Sequence, residues 1–202
     1  MAKTKKPAKK STAQKTLEIF KKTKAFLEGH FLLSSGLHSS KYVQCAIVLQ
    51  YPTYAAYLAK NLASKFNSKK IDVVVSPAIG GIVIGQEVGR ALGKRSIFAE
   101  RQEGQLTLRR GFDLKKGEQV LVVEDVLTTG GSVKEIIKIV NKVGAKLAGV
   151  GCMIDRTSKK LNFKVPMNSL MKLEIKTYSS DECPMCKDGK IPLVKPGSKT
   201  KK

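Results

Sequence analysis

Glu124 and Asp125 stand side by side at the end of an apolar run, and Thr128, Thr129, Gly130, Gly131 and Ser132 follow almost at once. Two adjacent carboxylates accept hydrogen bonds from vicinal hydroxyls of the kind a ribose ring offers. The threonine and serine hydroxyls are donors for a phosphate, and the glycines between them let its oxygens approach the backbone closely. The whole stretch 124–132 therefore fits a ribose carrying a 5′-phosphate. The other common phosphate loop, Gly-x-x-x-x-Gly-Lys-Ser/Thr, is absent.

The elements around these residues place them suitably. Residues 120–123 are a short β-branched apolar run, as expected of a strand buried on both faces of a parallel sheet. The acids then lie at the strand's carboxyl end, where open α/β sheets bind their ligands. Val133, Ile136, Ile137 and Val140 share one face of a helix over 131–142. Its amino end, with free amides and the positive pole of the helix dipole, is an anion site aimed at the same spot. A second turn through Ser76, Pro77, Ala78, Ile79, Gly80 and Gly81 follows an expected strand at 71–75 and opens a helix running to Leu92. Gly80, Gly81, Gly85 and Gly89 suit either close packing or ligand approach.

Further strands are expected at 95–100, 119–123 and 146–154, with helix 131–142 as a crossover, which makes an α/β, mainly parallel sheet flanked by helices. Upstream, Leu17, Phe20, Lys24 and Leu27 are spaced for a helix ending before Gly29. Residues 31–33 and 42–49 read as short strands, and Pro52 opens a helix bearing Tyr54, Tyr57, Leu58, Leu62 and Phe66. The polar, glycine-interrupted segment 101–117 reads either as a lid or as a surface hairpin with solvated arginines.

A chain of 202 residues that is 42% hydrophobic suffices for one α/β domain with a proper core. No apolar run approaches the ~18 residues of a membrane span, and the lysine-rich start has no apolar signal core, so a cytoplasmic protein is expected. The net charge is +22. Half of that excess lies in residues 1–15, with six lysines and no acid, and 187–202, with six lysines against Asp188. Such tails bury little and are expected to be disordered and solubilising, with no more than weak nucleic-acid binding. The charge on the remainder helps gather an anionic substrate.

Of the four cysteines, Cys45 and Cys152 lie in apolar surroundings and read as core residues. Cys183 and Cys186 have metal-ligand spacing, but neither the other cysteines nor the two histidines offer a matching pair in sequence. A structural turn is expected there, and no metal site.

The stretch 124–132 closely resembles the PRPP-binding motif of the type I phosphoribosyltransferases: two acids, two variable residues, then Thr-Thr-Gly-Gly-Ser. Other segments resemble one branch, the orotate phosphoribosyltransferases. They are Gly29-His30-Phe31-Leu32-Leu33-Ser34-Ser35-Gly36 with Ser39-Ser40-Lys41-Tyr42, then Phe98-Ala99-Glu100-Arg101, then Thr107-Leu108-Arg109-Arg110-Gly111-Phe112, and finally Val150-Gly151-Cys152-Met153-Ile154-Asp155-Arg156. The likeness covers residues 16–196 in matching order.

The resemblance implies a type I phosphoribosyltransferase fold with a small N-terminal hood. It divides the chain into a basic arm at 1–15, a single domain at 16–196 (hood 16–50, core 51–178) and a tail at 197–202. It also implies transfer of phosphoribose from PRPP to orotate with Mg2+ held mainly by PRPP and water. Glu124, Asp125, Val126, Leu127, Thr128, Thr129, Gly130, Gly131 and Ser132, with Ala78, Gly80 and Gly81, would bind PRPP. Arg101 and Asp125 would be catalytic, while Arg156 and Thr128 would bind orotate. A homodimer with shared sites follows from the family's habit of passing the arginine loop into the partner subunit. The chain departs from the familiar pattern at Gln102, Glu103 and Gln105, where lysines and a histidine are usual, and at Ser34, where many relatives carry lysine. Alternatives are a phosphoribosyltransferase for another base and a PRPP-sensing regulator that binds RNA.

Overall fold

The computed structural model describes residues 10–33 and 35–196. Two sheets organise the chain. The larger takes its strands from β3 (Val73–Pro77), β4 (Arg95–Gln102), β5 (Gln105–Leu108), β6 (Gln119–Leu127), β7 (Lys146–Asp155) and β8 (Met167–Lys172), in the order β5-β4-β3-β6-β7-β8. All neighbours run parallel except β4 and β5. The smaller sheet has the order β10-β1-β2-β9, from β1 (Phe26–Leu32), β2 (His38–Val43), β9 (Thr177–Tyr178) and β10 (Leu193–Val194). It is the hood, and its two outer strands come from the carboxyl end of the chain.

The core follows from the period-two alternation of strands. Val74, Leu121, Val123 and Met153 face one side of the large sheet, against α1 (Thr12–Lys22), α2 (Cys45–Leu49), α3 (Pro52–Ala63) and α4 (Gly81–Leu92). Val73, Val75, Val120, Val122 and Val150 face the other side, against Val133, Ile136 and Val140 of α5 (Gly131–Lys142). Since both faces are covered, the central strands read as unbroken apolar runs. Among the described residues no helix is long and apolar enough to cross a membrane.

Several local expectations change. Helix α1 begins at Thr12, inside the basic arm, with Ser11 and Gln14 forming a capping box. It stops at Lys22 because the chain turns at Lys24, whose φ is +58°. What read as its last turn is the start of β1. The expected strand at 42–49 is instead the end of β2 followed by α2, a five-residue apolar run that packs as a buried helical turn. β8 was not expected: its pattern is half-buried and polar, as suits the outermost strand of a sheet.

Segment 101–117 is not a long open loop. β4 and β5 form a hairpin closed by Glu103 and Gly104, both with positive φ as tight two-residue turns require. In α4, a Cβ on Gly85 would lie 1.9 Å from Ser76 Oγ and one on Gly89 2.8 Å from Ser96 Cβ. Those two glycines therefore serve close helix-on-sheet packing. Gly80 faces the acid pair instead.

Candidate active site

β6 carries Glu124 and Asp125 to its carboxyl end, and the chain then turns through Thr128 and Thr129 into α5. Gly130 is the N-cap residue with φ +74°, and no side chain caps the helix. Among the described residues the first amides of α5 therefore have no side-chain capping acceptor, and they lie beside the exposed Thr128, Thr129 and Gly131. Residues 126–132, together with Arg101, Glu124 and Glu135, line a cavity of about 220 Å³.

The second turn meets this cradle from the next strand. A Cβ on Gly80 would lie 2.6 Å from Asp125 Oδ2, so the 78–81 turn and the acid pair touch, and only glycine permits the approach. The Ala78–Ile79 peptide is cis. Asp125 Oδ1 accepts the Val126 amide at 2.8 Å, while Glu124 is buried. Burial, and next the neighbouring Asp125 charge, push the Glu124 carboxyl up to about 9.

Arg101 stands at the end of β4. Its guanidinium donates to both oxygens of Glu135, at 3.0 and 3.2 Å, and to the Gly104 carbonyl at 2.6 Å. Glu135 also accepts the Leu106 amide at 3.0 Å, and these bonds, that from Arg101 foremost, hold its carboxyl below the usual range. The hairpin is thus tied to α5 in the same chain, with Arg101 over its own cradle. Arg110 donates to Glu100 at 2.9 Å, and Arg109 lies 3.8 Å from it.

Arg156 follows β7 directly. Its amide donates to the Leu127 carbonyl at 2.8 Å, which sets it beside Thr128 at the sheet's ligand-binding edge. Arg156 also lines a cleft of about 590 Å³ between hood and core, with Ser40, Lys41, Lys172, Lys176 and Tyr178. Among the described residues it has no ion pair: Asp155 accepts the Thr157 amide and Glu174 pairs with Lys172. Its Nε is buried without a hydrogen-bond partner. A half-buried guanidinium with open donors, in a cleft that also holds Lys41, Lys172, Lys176 and Glu174, has the chemistry to receive a carboxylate. Ser34 lies outside the described residues.

One cluster eluded the sequence. His30, His38, Cys183 and Cys186 come together in the hood, although in sequence the cysteine pair has no partner pair. The hairpin register explains it: Leu32 pairs with His38, so His30 and His38 are diagonal neighbours across β1 and β2.

The phosphoribosyl transferase domain family matches residues 47–179. The orotate phosphoribosyltransferase of Caldanaerobacter subterraneus subsp. tengcongensis is 55% identical over 186 residues, covering 92% of this chain and 97% of that one. Among solved structures, orotate phosphoribosyltransferase from Aeropyrum pernix superposes with a TM-score of 0.65 at 24% identity, covering 77% of this chain and 92% of that one. Adenine phosphoribosyltransferase from Thermoanaerobacter pseudethanolicus gives 0.58 at 21%, covering 66% and 88%. The fold is shared by enzymes named for different bases, so the close relative decides the branch. With the domain family spanning 47–179, which includes the cradle and Arg156, and that relative 55% identical over 92% of this chain, the chain belongs to the type I phosphoribosyltransferases and, within them, to the orotate phosphoribosyltransferase family.

Proposed function

We propose that the protein transfers the 5-phosphoribosyl group of PRPP to orotate, giving orotidine 5′-monophosphate and pyrophosphate in pyrimidine synthesis. The observation that carries the assignment is Arg156, a cation without an ionic partner among the described residues, one residue beyond β7 and next to the phosphate cradle. Orotate differs from uracil by a carboxylate, which a guanidinium binds with two charge-assisted hydrogen bonds. Thr128 adds a polar contact.

The roles of the remaining residues follow from their chemistry. Thr128, Thr129, Gly130, Gly131 and Ser132, with the free amides of α5, hold the 5′-phosphate. Glu124 and Asp125 accept from the ribose hydroxyls, with Val126 and Leu127 as backbone around them. Ala78, Gly80 and Gly81 present backbone to the pyrophosphate, and Arg101 reaches it by exchanging Glu135 for phosphate oxygens. Substitution at the anomeric carbon builds positive charge on the sugar and negative charge on the departing pyrophosphate. Asp125 opposes the first and Arg101 the second, both held in position before the bond breaks. No protein nucleophile is required.

Magnesium fits this arrangement. Glu124 and Asp125 bring two carboxylate groups to the cradle, a donor set that suits an ion held mainly by substrate oxygens and water with at most one or two carboxylates. Bound there, it supplies charge neutralisation on the pyrophosphate. The substrates are soluble anions, and we place the protein in the cytoplasm as a homodimer.

Pyrophosphate release measured with PRPP, magnesium and each of orotate, uracil and hypoxanthine tests the assignment; turnover with orotate alone is expected. Arg156→Ala should raise the orotate KM by about 10- to 100-fold while the PRPP KM stays nearly constant. Equal loss for both substrates would remove Arg156 from the base site.

A further inference from the structure

The hood holds a second constellation that phosphoribosyl transfer does not use. His30 Nε2 lies 2.9 Å from His38 Nδ1 and 3.5 Å from the Sγ of each of Cys183 and Cys186. Cys186 Sγ is 3.2 Å from His38 Nδ1, and all four atoms fall within 4.8 Å of one another. We propose that these four side chains bind one zinc ion, which fastens the 177–194 segment to the hood sheet.

The distances fit the ion. Tetrahedral zinc, with bonds of about 2.3 Å to sulfur and about 2.0 Å to nitrogen, sets sulfur and nitrogen about 3.5 Å apart and two nitrogens about 3.3 Å apart. The four separations given above depart from these by at most about 0.4 Å, and the remaining two, from Cys183 Sγ to His38 Nδ1 and to Cys186 Sγ, stay within 4.8 Å. Proton accounting points the same way. His30 Nδ1 lies 3.2 Å from the Ile191 carbonyl, which can only accept, so Nδ1 carries the proton and Nε2 presents its lone pair inward. That lone pair faces one nitrogen and two sulfurs and can accept a proton from just one of them. A cation at the centre satisfies all four at once.

Ligand type selects the metal. Two thiolates and two imidazoles suit zinc and disfavour magnesium or calcium, and a full set of four protein ligands leaves no open position for catalysis. Binding would release the two thiol protons to solvent.

The segment also needs a fastening. From residue 177 to residue 194 Cys183 is the sole buried residue, yet this stretch supplies both outer strands of the hood, each of two residues. Apolar burial cannot hold so thin an attachment, and metals commonly take over where a core is too small. The second ligand pair lies in the central strands β1 and β2, so one ion would join the centre of that sheet to both edges. Tyr178, Ser40 and Lys41 line the base cleft on this sheet.

The test uses the full chain purified without chelator. Elemental analysis should find about one zinc per chain, and less than about a tenth as much in the Cys183→Ser/Cys186→Ser double variant. Cobalt(II) added to chelator-treated protein should give thiolate-to-metal charge-transfer and intense tetrahedral bands, absent in the variant. Removing zinc from the wild-type chain should lower Tm by about 5 °C or more and speed amide exchange across 177–194 and β1–β2, with zinc restoring both. Should the double variant fail to fold, the chelated wild-type protein decides. Protein that holds no zinc and gives no cobalt spectrum, or that carries a Cys183–Cys186 disulfide, would overturn the site. Unchanged exchange after zinc removal would overturn the fastening.

Discussion

Glu124 and Asp125 are adjacent in sequence but differ in surroundings, and the difference has a measurable consequence. Glu124 is buried beside Asp125, and its carboxyl is pushed up to about 9 from 4.5. The folded protein therefore keeps at neutral pH a proton that the unfolded chain has released. A raised folded-state value means that this group's stabilising contribution is complete below 4.5, shrinks as pH climbs, and is gone above about 9. Wild type and Glu124→Gln should thus be compared by Tm across that window without substrate. The wild type should lose ground steadily to the variant as pH rises, whereas a constant difference would mean that Glu124 is ionised throughout. Arg156 shows the complementary case at the same sheet edge. Burial lowers its proton affinity, yet a guanidinium remains charged at any working pH, so its open donors call for an anion rather than a proton shift.

At the scale of elements, the proposed function assigns most of the binding to the β6–turn–α5 unit, and Gly130 is its most constrained point. With φ at +74°, and Leu161 Cδ1 2.8 Å from where a Cβ would stand, alanine there meets both backbone strain and a clash. Gly130→Ala should lower stability by about 1–3 kcal/mol and weaken PRPP binding about tenfold or more. Gly131→Ala separates the two effects, since its Cβ would meet only Thr129 Oγ1 at 3.6 Å. That variant should keep its Tm within about 2 °C of wild type and lose PRPP affinity alone, because the methyl occupies the phosphate's approach. Loss of Tm without loss of affinity in either variant would separate this turn from the phosphate. This unit was legible in the sequence because everything it needs is contiguous: strand, acids, turn and helix face. The hood was not. The run at 45–49 is too short for its apolar pattern to distinguish strand from helix, and the α1 spacing continued by chance through Lys24 to Leu27 of β1. β8 gave no alternation to follow, and the His30, His38, Cys183, Cys186 cluster depends on a strand register and on a segment far along the chain.

For the whole molecule the open question is how many chains build one site. The family resemblance leads to a homodimer whose arginine loop crosses to the partner. Here the corresponding segment is a short hairpin closed by Glu103 and Gly104 and tied through Arg101 and Glu135 to α5 of its own chain. That ion pair is largely exposed, with Arg101 at 51% and Glu135 at 30%, so solvent screens it and pyrophosphate can replace Glu135 at little cost. Arg101 is therefore placed to act over the cradle beneath it. Mixing two inactive variants, Arg101→Ala and Asp125→Asn, after dissociation and reassociation tests this. If Arg101 serves its own chain, each site of a mixed dimer has one damaged residue, and activity stays at the level of the separate variants. If Arg101 serves the partner, a mixed dimer has one site with both lesions and one intact. Random pairing would then restore about a quarter of wild-type activity. The hairpin geometry predicts no recovery. Recovery to that fraction would show that the hairpin leaves its own cradle in the dimer and that Glu135 is only its resting partner.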